Sequence, residues 1–136
     1  MSATTTPRAL ACALAAMTAL SACGDSTSPG DRLPPPPPPV SSLVGVWTGT
    51  VNGVEYGEGT LELTLKADST MGAKSNNTNY CPLATATWRV TGPQFTATGS
   101  DCNNITVTFT ASISEKLLNG TWSASSGKVG TFRVGR

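Results

Sequence analysis

Three stretches of the chain alternate apolar and polar residues with a period of two. Leu61, Leu63 and Leu65 are spaced by Glu62 and Thr64. Ala84, Ala86, Trp88 and Val90 are spaced by Thr85, Thr87 and Arg89. Ile105, Val107, Phe109, Ala111 and Ile113 are spaced by Thr106, Thr108, Thr110 and Ser112. Successive side chains of a strand point to opposite faces, so this alternation predicts antiparallel strands with one buried face and one wet face. Threonine on the polar side reinforces the strand, because β-branched side chains suit a pleated surface. No stretch after the N-terminal apolar run repeats with the 3.6-residue period of an amphipathic helix, so no helix is expected there.

Turn-forming residues cut this region into short segments. Asn52-Gly53, Asp68-Ser69, residues 75–79, Gly92-Pro93, Asn103-Asn104 and residues 125–127 all carry the Gly, Pro, Asn, Asp or Ser that turns require. Strands are expected near 43–51, 59–67, 69–74, 83–91, 94–100, 104–114, 117–124 and 128–134. If 69–74 is only a connection, the sheet has seven strands or stays open. Short connections pair consecutive strands as a meander, and an eight-stranded meander closes into a barrel that leaves no exposed edge. The fold class is therefore all-β: a small antiparallel up-and-down barrel over 43–136, long enough for one small core.

The N-terminus carries a different signal. Residues 9–22 are apolar, rich in Ala and Leu, and follow a polar stretch with one positive charge at Arg8. The run is shorter than the ~20 residues of a transmembrane helix and has the layout of a signal peptide. It ends in Leu20-Ser21-Ala22-Cys23-Gly24, which resembles a bacterial lipobox. That resemblance implies cleavage after Ala22, lipidation of Cys23 and anchoring in the cell envelope, with Gly24 pointing to the outer membrane. The alternative is an ordinary secretory signal. Residues 23–42 then form a tether. Pro34–Pro39 is an unbroken proline run, expected as a polyproline II spacer of roughly 19 Å at about 3.1 Å per residue.

Export bears on the cysteines. With Cys12 removed and Cys23 lipidated, Cys81 and Cys102 are left as one pair, and an exported chain favours a disulfide between them. A hairpin turning at Gly92-Pro93 sets Trp88 opposite Ala97. Cys81 and Cys102 then fall within about two positions of the same register, where a bridge would staple the hairpin's open end.

Charge and composition narrow the function. The chain holds nine Lys and Arg against eight Asp and Glu; loss of Arg8 with the signal peptide balances them. A neutral chain with no basic cluster argues against nucleic acid as a partner. There is no histidine, which excludes Ser-His-Asp and Cys-His catalysis and His-based metal sites. No cofactor is implied. Glu55, Glu58, Asp68 and Asp101 show no spacing that makes a hydrolytic pair or a Ca²⁺ site, and are read as solvated. The Asn-rich stretch 75–80 is read as a plain connection before a recognition surface.

Gly45-Val46-Trp47 on the first strand and Arg133 on the last resemble the lipocalins and related calycin barrels. Gly120-Thr121-Trp122 repeats the Gly-x-Trp near the C-terminus. The resemblance implies Trp47 at the closed end of the barrel with Arg133 nearby. Trp47, Trp88 and Trp122 either fill the core or line a pocket for an apolar ligand. The expected function is a non-catalytic, membrane-anchored binding module for a small apolar ligand or an envelope protein. Two alternatives stand beside it: a proteinase inhibitor, since small periplasmic metalloprotease inhibitors are similar one-disulfide barrels, and a purely structural envelope lipoprotein.

Overall fold

The computed structural model describes residues 39–136 together with Pro36. The segment expected to be a signal peptide, Cys23 and most of the proline run lie outside the described residues. The described chain is an eight-stranded antiparallel barrel, closed between its first and last strands, with every consecutive pair hydrogen-bonded: β1 (Gly45–Gly53), β2 (Gly57–Leu65), β3 (Thr70–Ser75), β4 (Leu83–Thr91), β5 (Gln94–Ser100), β6 (Thr106–Ser114), β7 (Leu117–Ala124) and β8 (Val129–Gly135). β3 is a true strand, so closure does not fail at 69–74. The only helical element described is a single 3₁₀ turn, Val40–Ser42.

The expected register is present, with Trp88 opposite Ala97, and Cys81 and Cys102 are joined with their Cα atoms 5.7 Å apart. Two local expectations are corrected. Asn52-Gly53 does not form the first turn. Both residues lie within β1, paired with Glu58 and Gly57, and the turn is made by residues 54–56, closed by Gly57 at φ 75°. Ala84 does not point inward. Between Met71↔Ala86 and Ala73↔Leu83, β4 carries one more residue than β3. That bulge breaks the alternation, leaving Ala84 exposed and burying Leu83.

The outer face carries cross-strand rows of threonine. Thr96, Thr110, Thr121 and Thr131 lie side by side across β5 to β8. This is where the polar half of the alternation goes, and closure leaves no edge strand exposed.

The interior differs from one end to the other. At the end where residues 39–44 join β1, Leu43, Leu65, Met71, Phe95, Leu118 and Val134 are at most 1% exposed. Trp47 seals this end. Its indole N–H donates to the Leu43 carbonyl at 2.8 Å, which the 3₁₀ turn brings under the ring. The Arg136 guanidinium lies 5.5 Å above the same ring, within cation–π range, and donates to the Val44 carbonyl. The arginine beside Trp47 is therefore Arg136 and not Arg133. Arg133 lies opposite Thr50 and Asn119 in register, with its side chain exposed, because odd positions of β8 face solvent.

Candidate functional site: the open mouth of the barrel

The end opposite Trp47 is hollow. A cavity of about 340 Å³ opens there, at the low end of the ~300–1,000 Å³ range of small-molecule sites. Its floor and walls are apolar: Val51 from β1, Leu61 from β2, Ala73 from β3, Leu83 from β4, and Val107 and Phe109 from β6. The β4 bulge supplies Leu83 to this lining in place of Ala84.

One wall is aromatic. Tyr56, from the turn between β1 and β2, lies parallel to Trp122 of β7 with ring centroids 6.0 Å apart. Tyr80, from the connection between β3 and β4, meets both edge-on, at 5.2 Å from Tyr56 and 5.7 Å from Trp122. The Trp122 indole fits because Gly53 and Gly130 lie beneath it. A Cβ at Gly130 would come within 2.5 Å of the indole nitrogen, and one at Gly53 within 2.8 Å of ring carbon Cζ2. The indole N–H is buried with no hydrogen-bond partner.

The Asn-rich connection is neither a plain tether nor an exposed recognition loop. Asn77 donates its side-chain amide to the carbonyls of Tyr56 at 2.9 Å and Glu58 at 3.0 Å. Its own side-chain oxygen accepts from the Asn79 N–H at 3.0 Å. Asn76 accepts from the Thr60 N–H at 2.7 Å. These bonds clamp the connection to the β1–β2 turn and hold Tyr80 against the wall, where its hydroxyl donates to the Gly57 carbonyl at 2.7 Å. Burial pushes the Tyr80 phenol above its ordinary value of 10.0. The Cys81–Cys102 bridge ties the far end of the same connection to the β5–β6 turn. Asparagine suits this work because its amide offers donors and an acceptor to backbone groups that no strand pairs.

The charged residues that line the cavity are Lys74, Lys128 and Asp101. Lys74 pairs with Glu62 at 2.9 Å and Lys128 pairs with Glu55. Asp101 accepts the backbone N–H groups of Asn103 at 2.8 Å and Ile105 at 2.9 Å, a turn-closing role. Asp68 is far from the mouth, in the β2–β3 turn, where it accepts from the Thr70 hydroxyl and N–H. Those bonds, the hydroxyl's first, hold its carboxyl below the ordinary value of 3.8. Among the described residues, no three His, Cys, Asp or Glu side chains cluster as metal ligands.

Of the three tryptophans for which core and pocket wall were the two readings, Trp122 alone lines the cavity. Trp47 is the plug of the closed end. Trp88 is core, stacked on Phe95 with centroids 6.2 Å apart and donating to the carbonyls of Lys66 and Thr70. The two tyrosines of the wall were missed because neither lies on an alternating strand. No protein-family model matches the chain, and no curated protein matches it.

Proposed function

We propose that this protein is a lipid-anchored envelope lipoprotein whose barrel is a non-catalytic binding module, taking a small apolar ligand into its open mouth. The supporting observation is the cavity of about 340 Å³, apolar in its walls and aromatic on one side. A chain of this size able to fill its whole interior has no stability reason to leave one half hollow, since voids cost packing energy. Cys23 is the proposed lipidation site, and the mouth lies at the end of the barrel opposite the point where residues 39–44 join it.

The test has two arms. Native lipoprotein is captured from its own envelope, and small molecules released on denaturation are compared with those from a variant whose mouth is filled, Ala73→Phe. A compound retained by the parent and lost from the variant supports the reading; identical extracts overturn it. For the anchor, Cys23→Ser abolishes incorporation of a fatty-acid probe, and unchanged labelling refutes lipidation there.

A further inference from the structure

Resting on the reading that the mouth binds a ligand, we infer the chemical class of that ligand: a small, uncharged, flat molecule, a ring system with a hydrogen-bonding edge, and not a fatty acid or other organic anion. Three features of the site lead to this.

The first is depth. The hollow reaches from the rim to Phe109 and Val51 and goes no further, because Trp88, Phe95 and Leu118 fill the barrel beyond it at 3% exposure or less. An extended acyl chain needs a bore along the axis, and here the lower half is closed. A compact ring fits a short, wide recess.

The second is charge. Lys74 and Lys128 are each engaged by a glutamate, and Asp101 is held by two backbone N–H groups. A carboxylate or sulfonate entering the mouth would have to compete with Glu62 or Glu55 for a lysine that is already paired, whereas a neutral ligand disturbs neither pair. The remaining polar side chains on the lining are neutral: Ser75, Asn79, Asn103 and Ser126. They can donate to and accept from a ligand's polar edge without requiring charge.

The third is shape. Tyr56, Tyr80 and Trp122 all line the cavity and are packed against one another, and an aromatic wall favours a further ring through offset-parallel or edge-to-face contact. The clamp through Asn77 and the Cys81–Cys102 bridge hold this arrangement before a ligand arrives, which lowers the ordering cost of binding.

The experiment uses the full mature chain carrying Cys23→Ser, so that no detergent competes for the mouth. Three probes are titrated while tryptophan emission is followed. N-Phenyl-1-naphthylamine is neutral; 1-anilinonaphthalene-8-sulfonate has the same rings with an added sulfonate; dodecanoate is an extended anion. The expected result is one-to-one binding of the neutral probe with quenching of Trp122, binding of the sulfonate weaker by about tenfold or more, and no displacement by dodecanoate. Ala73→Phe on β3 and Val107→Phe on β6 fill the cavity from different sides, and each that retains the native near-ultraviolet spectrum loses the neutral probe. If the sulfonate or dodecanoate binds as tightly as the neutral probe and the filling variants abolish that binding, the inferred class is wrong and the binding reading stands. If no probe binds, or binding is indifferent to both variants, the binding reading itself falls.

Discussion

Gly130 lies directly opposite Trp122 across β7 and β8, and the indole occupies the space that a side chain at 130 would take. A Cβ there would stand 2.5 Å from the indole nitrogen and collide with the Asn52 carbonyl. Neither neighbour is the tip of a flexible chain. Gly130→Ala is therefore expected to destabilise the barrel by about 3 kcal/mol, the upper end of overpacking costs. Gly57→Ala is the contrast. Its position has open space but φ 75°, so only the left-handed backbone penalty of about 1–2 kcal/mol applies. Urea unfolding of the two variants gives the comparison, and equal midpoints would contradict the packing account.

The two end-tryptophans should respond differently to the same change. Trp47→Phe removes a buried donor from the Leu43 carbonyl and leaves a smaller, weaker ring face under Arg136, with an expected loss of about 2 kcal/mol. Trp122→Phe removes a buried N–H that has no partner. Relief of that unmet donor offsets part of the lost packing, so the cost is expected below about 1 kcal/mol. Chemical denaturation ranks the two variants; a larger loss at Trp122 would show that its N–H is satisfied in solution.

The bridge between Cys81 and Cys102 spans 21 residues. By loop entropy its removal in the double serine variant costs about 3 kcal/mol. Because the bridge anchors one end of the connection that carries Tyr80, the change should also loosen the mouth. Amide exchange should rise first over residues 76–82 and 101–105 while β5 to β8 stay protected. Uniform acceleration across all strands would mean that the bridge acts on the whole fold and not on the mouth.

Asn77 holds the aromatic wall without belonging to it. Asn77→Ala removes its bonds to the carbonyls of Tyr56 and Glu58 and should cost about 1–2 kcal/mol. The diagnostic readout is local: near-ultraviolet circular dichroism from the Tyr56, Tyr80 and Trp122 cluster weakens while the far-ultraviolet spectrum is unchanged. A spectrum identical to the parent in both regions would remove Asn77 from the role of positioning residue.

Tyr80 predicts an alkaline dependence. Its phenol is raised above 10.0 by burial first of all, so the folded state holds that proton more tightly than the unfolded chain. The stability this contributes is complete below the ordinary value and is lost as pH rises through the raised one. Stability should therefore fall at strongly alkaline pH, and Tyr80→Phe should flatten that part of the profile. Phenolate absorbance should show a tyrosine ionising above the ordinary range in the parent and not in the variant. A parent and variant with superimposable profiles would place Tyr80 in water.

Much of this molecule is a property of neighbours along the chain. The alternation of Leu61 to Leu65 and of Val107 to Ala111 sets which side chains face inward, because strand periodicity is local. The turn residues set the number of strands, and the Gly92-Pro93 turn sets the register that brings Cys81 to Cys102. What local pattern cannot set is height along the barrel, which depends on how eight strands stagger as they close. That stagger makes Trp47 a plug and Trp122 a cavity wall, although both follow Gly-x-Trp. Alternation along β8 already turns Arg133 outward; the stagger brings Arg136 over Trp47. The β4 bulge, a mismatch between two strands and not a feature of either alone, exchanges Ala84 for Leu83. Tyr56, Asn77 and Tyr80 lie in connections with no period to read; they became a site only when closure through β1 and β8 set Trp122 of β7 beside the β1–β2 turn.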